Sequence, residues 1–335
     1  MAELLRKAVW SVDFVWQGQV HKVSASIGLV QLDGMAIDLP AALRAADLAC
    51  YTAKDHGRNR VHVHAVDDAA EAELSESMGW VQRLHRALDE DRFELYAQPI
   101  VPIAGGGVQD EHMELLLRLR DGEGQLISPG AFIPAAERFG MMPMIDRWVV
   151  RKALTTIALR GKASQGATYA INLSGITLND DSFQAFLCDA LASSGVAPEV
   201  LCFEITETSA VANLDQACAF MDSMKQLGCR FALDDFGVGM SSLTYLKRLP
   251  VDYLKIDGSF VRHMLTDKSD RATVEMINHL AHMAGKLTIA EFVETPAILK
   301  ALNEVGVDYA QGYAVGRPSP FSGDVLRLDR IKRPA

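Results

Sequence analysis

Eight polar side chains define the chemistry open to this chain. Glu114, Asn172, Glu204, Asp234, Asp235, Lys255, Glu291 and Gln311 each sit in, or at the end of, a short apolar run. The runs are MELLLRL, YAINLS, CFEITET, FALDDFG, YLKIDGS, TIAEFVE and YAQGYAVG. Polar groups at the ends of repeated strand–helix units are the one-dimensional trace of a barrel active site. Carboxylates gathered at one place repel one another unless cations lie between them. The pattern therefore points to metal-dependent hydrolysis.

Glu114 lies inside an apolar strand, where an unpaired carboxylate is costly. It needs a metal or a cationic partner such as Arg118, four residues on and facing the same side. Arg118 equally suits a phosphate. Asn172 offers a neutral oxygen to a hard cation, or a turn at a strand end. Glu204 lies within its strand and is the stronger ligand candidate. Glu207, just past that strand, suits hydrogen-bonded support of a neighbouring loop. Adjacent strand residues face opposite ways, but a turn after Asp234 and Asp235 lets both reach one cavity. Such paired carboxylates serve two metals about 3.5–4 Å apart in phosphodiester hydrolysis; capping of the next helix is the alternative. The FGVGMSS that follows reads as a mobile loop over the site. Lys255, with Asp257 on the same side, neutralises carboxylates, holds an attacking water, or forms a structural ion pair. Glu291 suits a ligand or base. Glu294, beside the helix start at Thr295-Pro296, suits the helix dipole. Gln311 orients water or substrate, or is a satisfied core amide.

Positioning these groups requires eight strands, expected near 94–101, 113–119, 168–174, 201–206, 230–236, 252–257, 287–292 and 308–314. Several are near-continuous apolar runs, as where helices cover a parallel sheet. Ser128-Pro129 and Thr295-Pro296 each offer an N-cap followed by proline, and Gly140 and Gly228 offer helix stops. This predicts an α/β fold, a TIM-type (β/α)8 barrel over residues 91–330. About a dozen residues join the first two strands, too few for a crossover helix. An antiparallel first strand is therefore expected. Residues 65–90, rich in Ala, Glu and Leu at helical spacing, predict a connecting helix. Residues 1–64 predict a small, truncated α+β segment: a helix at 2–8, a strand pair at 12–16 and 22–30, a helix at 40–56 and a strand at 60–64.

The 335 residues fit a large barrel plus a small appendage. No run approaches the roughly 18 apolar residues of a membrane span, and the first residues lack a secretory pattern. The net charge of −10 argues against a surface for a nucleic-acid polymer. Residues 1–64 hold 7 Lys+Arg against 6 Asp+Glu, so the acidity belongs to the barrel. Five cysteines, an odd number without a CxxC pair, suit reduced core thiols of a cytoplasmic protein. His279 and His282 share a helix face without a third partner at matching spacing, and read as a surface or packing pair.

These residues also carry a resemblance. Glu114-Leu115-Leu116, followed by Leu117 and Arg118, stands where the EAL-domain family has its signature triplet. YAQPIV, SPGAFIPAAERFG, INLS, FEITET, DDFGVGMSSL, LKIDGSFV, AEFVET and QGYAVGRP match in order and spacing over about residues 80–325. The resemblance implies a barrel hydrolysing one bond of cyclic di-GMP to linear pGpG, with two divalent cations, Mg²⁺ or Mn²⁺. By position, Glu114, Asn172, Glu204, Asp234 and Glu291 resemble metal ligands, and Asp235 the ligand of a second metal. Lys255 resembles the water-holding lysine, Gln311 the orienting glutamine, and Glu207 the buttress of the loop 235–242. Gln98 and Arg118 fit substrate contacts, Arg118 toward phosphate. A non-catalytic cyclic di-GMP receptor is the alternative. Leu115 replaces the signature Ala, Met240 a common Tyr, and Phe292 a usual Gly beside Glu291. Residues 1–64 resemble the C-terminal half of a GGDEF domain, in ASIGLV and ALRAADLACYTAKDHGRNRV. Without the signature half, a remnant or spacer with an exposed apolar face is expected rather than a cyclase. The resemblance further implies a homodimer, upstream sensor domains in a longer parent, and no membrane contact by this segment.

Overall fold

A computed structural model of the chain describes residues 1–16, 19–31, 42, 46, 49, 50, 53, 59–63, 68–104, 111–164, 166–238 and 243–323. The chain divides into two compact units, Met1–Gln82 and Arg83–Ala335.

In the first unit, helix α1 (Ala2–Trp10) precedes two small ladders. β1 (Asp13–Trp16) pairs antiparallel with β2 (Gln19–Lys22), and β3 (Ile27–Leu29) pairs parallel with β4 (Val61–Val63). The segment 22–30, expected as one half of the strand pair, is thus divided between two ladders. Trp16 pairs with Gln19, and residues 17 and 18 lie outside the described residues. Of the expected helix at 40–56, Ala42, Ala46, Ala49, Cys50 and Ala53 are helical, and the rest lies outside the described residues. A Cβ at position 28 would lie 2.2 Å from the Cys50 backbone nitrogen, so Gly28 permits that close approach. Of the helix expected at 65–90, α2 spans Asp68–Asp89, and 65–67 lie outside the described residues.

The second unit holds β5 (Phe93–Pro102), β6 (His112–Arg120), β7 (Leu126–Ile127), β8 (Thr168–Asn172), β9 (Leu201–Thr206) and β10 (Arg230–Phe236). β11 (Tyr253–Ile256), β12 (Leu287–Ala290), β13 (Tyr309–Gln311) and β14 (Ser319–Pro320) follow. Strand β6 pairs in parallel with β8, and the parallel ladder continues through β13. β13 then meets β5 antiparallel, and β5 meets β6 antiparallel with Gln98 opposite Glu114. The sheet thereby closes into an eight-stranded TIM-type barrel, with β7 and β14 as two-residue additions. The antiparallel first strand is as expected.

Helices α3 (Ile133–Arg138), α4 (Met142–Arg160), α5 (Asp181–Ser194), α6 (Glu207–Ala212) and α7 (Leu214–Leu227) alternate with the strands. So do α8 (Leu243–Leu246), α9 (Gly258–His263), α10 (Lys268–Met283) and α11 (Pro296–Val305). Thr295 caps α11 by accepting from the Ile298 N–H, and Gly228 ends α7 in the left-handed region. Ser128 makes no such side-chain bond. Pro129 opens a single 3₁₀ turn, and the α-helix starts only at Ile133. β9 and β11 are buried along almost their whole length, which is why they read as unbroken apolar runs. Ile100, Ala170, Cys202, Ala232, Tyr253 and Ile289 fill the interior below the polar ladder. Of the five free thiols, Cys202 and Cys229 are buried, whereas Cys50, Cys188 and Cys218 are only half-buried. Core placement of all five is thus not found. Among the described residues, no helix is long and apolar enough to cross a membrane.

Candidate active site

The parallel strands deliver their polar residues to one end of the barrel. Glu114 comes from β6, Asn172 from the last position of β8, Glu204 from β9, Lys255 from β11 and Gln311 from the last position of β13. Glu291 stands one residue beyond β12, and its N–H donates to the Ile256 carbonyl. Asp234 and Asp235 adjoin within β10, where strict alternation would send one of them outward. Asp235 instead adopts φ +55, and the pairing with β11 slips between Leu233 and Phe236. Aspartate tolerates this left-handed conformation better than most residues. The kink brings both carboxylates to one side, where ligand atoms of Asp234, Asp235 and Glu291 all lie within 4.8 Å of one another.

Lys255 stands at the centre of the group and is fully buried. Its Nζ is 2.7 Å from Glu204 Oε2, 2.8 Å from Glu291 Oε1, 3.1 Å from Asp234 Oδ1 and 3.6 Å from Glu114 Oε2. Asn172 Nδ2 donates to Glu114 Oε1 over 2.7 Å, and Gln311 Nε2 donates to Glu114 Oε2 over 2.5 Å. Gln311 Nε2 also reaches Gln98 Oε1 at 3.3 Å. All eight residues of the ladder therefore meet in one cup, with Gln98 on its wall.

The charges do not balance. Five carboxylates face one ammonium, and Glu204 Oε1 is buried without a hydrogen-bond partner among the described residues. Burial, then the charge of Glu114, pushes the Glu204 carboxyl well above its ordinary range. Burial chiefly, with Asp234 and Glu114 adding to it against Lys255, raises Glu291 to about 8. Burial and Asp234 raise Asp235. Burial opposes the charge on Lys255, yet the surrounding carboxylates outweigh it and hold the ammonium protonated. An acidic cup with excess negative charge and an orphaned buried oxygen fits a hard divalent cation.

The cup opens into a cavity of about 330 Å³ whose walls include Gln98, Arg118, Arg262, Phe292 and Tyr313. Arg118 makes no ion pair with Glu114: its Nη1 donates to the Leu117 carbonyl and its guanidinium stands 5.6 Å from the Tyr96 ring centre. Glu114 is satisfied by Asn172, Gln311 and Lys255 instead. Glu207 turns away from the cup; its Oε2 accepts from the Gly237 N–H at 3.1 Å, and its Oε1 accepts from the Tyr245 hydroxyl. It serves the segment after Asp235, of which 239–242 lie outside the described residues. Asp257 does not face Lys255; it caps α9, accepting from the Ser259 N–H. Glu294 forms an ion pair with Arg262 at 3.7 Å rather than capping α11, a place Thr295 already fills. His279 and His282 are both exposed on α10, the surface placement expected, and His282 bonds Asp308.

Sequence reasoning passed over Arg262 and Tyr313. Arg262 lies on the short helix α9 and Tyr313 in the turn after β13, where no strand pattern flags them. The available signal was Phe292, an aromatic residue standing where the resembled family usually has Gly.

A family model described as the EAL domain matches residues 81–318. The cyclic di-GMP phosphodiesterase PdeB of Shewanella oneidensis is 38% identical over 302 residues, which cover 90% of this chain and 35% of that protein. The cyclic di-GMP phosphodiesterase PdeF of Escherichia coli is 36% identical over 263 residues, covering 78% of this chain and 35% of that protein. The chain thus spans about a third of the length of these curated relatives. Among solved structures, the PaMucR phosphodiesterase in complex with c-di-GMP is similar at a TM-score of 0.67 and 33% identity. It covers 72% of this chain and 98% of its own.

Proposed function

The chain belongs to the EAL-domain family, and from that premise we propose that its barrel hydrolyses one phosphodiester bond of cyclic di-GMP, giving linear pGpG. The observation that carries this reading is the cup itself: five carboxylates gathered with Asn172 and Lys255, of which Glu114 and Glu291 line the cavity. The names and likeness of PdeB and PdeF support the substrate.

Glu114, Asn172, Glu204, Asp234 and Glu291 would hold one divalent cation, and Asp235, with Asp234 and Glu291, a second; Mg²⁺ and Mn²⁺ suit these oxygen donors. Bound there, such ions supply Lewis-acid stabilisation of phosphoryl charge and acidify water. The side chains do the rest. Lys255 offers its ammonium to the attacking water and to the phosphate charge. Gln311 holds Glu114 in place and offers its remaining carbonyl to water or substrate. Arg118 supplies a fixed cation to a phosphate oxygen, and Gln98 a polar wall. Glu207 is a positioning residue, tying down Gly237 beside Asp235. Every position of the ligand set is filled by an oxygen donor, which favours catalysis over a receptor that only binds.

Residues 1–64 serve, in this reading, as a GGDEF-like remnant and spacer, with 65–90 as connector and 91–330 as the catalytic domain. The greater length of PdeB and PdeF supports upstream domains in a longer parent. A homodimer and a cytoplasmic site of action complete the proposal; a nucleotide substrate and five free thiols support the latter.

The test is incubation with cyclic di-GMP in Mn²⁺ or in EDTA, followed by chromatography for pGpG. Product should form only with the cation, and Glu114→Ala and Asp234→Ala should each drop it below detection. Undiminished turnover in either variant overturns the assignment. Binding by the parent chain without product in either cation makes it a receptor.

A further inference from the structure

Arg262 stands outside the carboxylate cup yet lines the same cavity. Its guanidinium carbon is 4.0 Å from the centre of the Phe292 ring, and its Nε is 3.7 Å from Glu294. Phe292 holds a left-handed backbone in which a bulky side chain is strained, and its 47% exposure means burial recovers little of that strain. Gly258 stands one turn before Arg262 on α9. A Cβ there would fall 2.1 Å from the Phe292 ring. The ring therefore rests on the bare backbone at 258 and carries the guanidinium on its face. A glycine and a strained phenylalanine together hold one arginine against the cavity wall.

Such a stack immobilises the planar fork and leaves its N–H edge available. The phosphates of the substrate must lie at the cup, where the bond is cut, so a group on the wall meets the flanking base. We propose that Arg262 is the specificity-determining residue of the cavity, donating paired N–H bonds to the O6 and N7 acceptors of one guanine. An arginine fork matches that acceptor edge and not the mixed donor–acceptor edge of adenine. The inference rests on the cyclic di-GMP reading and adds which side chain tells guanine from adenine.

The experiment is calorimetric titration in EDTA, where the ligand is not consumed, of cyclic di-GMP and cyclic di-AMP. The proteins are the full chain, Arg262→Ala and Arg262→Gln, with thermal melts to establish that each variant is folded. Arg262→Ala should weaken cyclic di-GMP about 10–100-fold while leaving cyclic di-AMP within about twofold. Arg262→Gln should move the preference toward adenine, whose N6 and N7 a glutamine amide pairs. Equal weakening of both ligands would mean a phosphate contact or lost packing, and overturns the inference. Unchanged affinity of Arg262→Ala for cyclic di-GMP overturns it as well and leaves the proposed function standing. Failure of the full chain both to bind cyclic di-GMP here and to form pGpG in Mn²⁺ overturns both.

Discussion

Lys255 concentrates the electrostatics of the site in one atom. Its Nζ lies within 3.1 Å of three carboxylates, and the residue is 1% exposed. Removing one partner of a buried ion pair leaves uncompensated charge and costs about 3–5 kcal/mol. Lys255→Met should therefore lower stability by about that amount in EDTA, read as the urea midpoint. Mn²⁺ should recover much of the loss and stabilise the variant more than the parent, because the vacated charge is then met by the ion. A variant as stable as the parent in EDTA, or indifferent to Mn²⁺, would show that the carboxylates are not held against one another by this cation. Much of this residue-scale picture was legible in the chain: all eight ladder residues were singled out by their apolar surroundings. The partner of Glu114 was not. Arg118 is near in sequence, but a closed barrel brings Asn172, Lys255 and Gln311 nearer in space.

At the scale of elements, the turn after β12 and helix α9 are fitted to each other. A methyl group at position 258 cannot coexist with the Phe292 ring where it lies, because the nearest ring atom would be 2.1 Å away. Gly258→Ala should thus destabilise the fold by about 1–3 kcal/mol through overpacking. The double variant Gly258→Ala with Phe292→Gly should recover most of that loss, since the obstruction and the strained backbone both disappear. Thermal denaturation of the two single variants and the double one completes the cycle, and simple additivity would refute the coupling. Element type was readable from apolar periodicity for all eight barrel strands. The kink at Asp235 and the left-handed Phe292 were not, because neither residue announces a positive φ as a glycine does. Nor was the division of residues 22–30 between two ladders, which follows from long-range pairing with Val61–Val63.

Across the whole molecule, the two ends of the barrel differ in chemistry. Opposite the cup, at the strand starts, the His112 ring packs 5.4 Å from Tyr253 and 5.7 Å from Tyr309. Arg230 bonds Thr168 and Tyr253 beside it. Burial first, then the charges of Arg230 and Lys255, lowers His112 from 6.5 to about 4, and the residue is 8% exposed. Its folded value lies below its unfolded one, so it favours the fold above pH 6.5 and that contribution is lost as pH falls from 6.5 toward about 4. The loss amounts to about 3 kcal/mol across that window. His112→Phe should flatten the acid limb of a plot of urea midpoint against pH, with little change above neutrality. An acid limb as steep as that of the parent would place the sensitivity elsewhere.

The sequence by itself determined the strand–helix alternation, the antiparallel first strand and the identity of the polar ladder. Each of these follows from local rules: side-chain periodicity, connection length, and the cost of a carboxylate in an apolar run. The tertiary structure alone decided which oxygens face Lys255, that a kink at Asp235 itself is what turns both aspartates to one side, and that Arg262 lies on Phe292. Those contacts join residues far apart in the chain, and only closure of the sheet, with its register and its kinks, sets their distances.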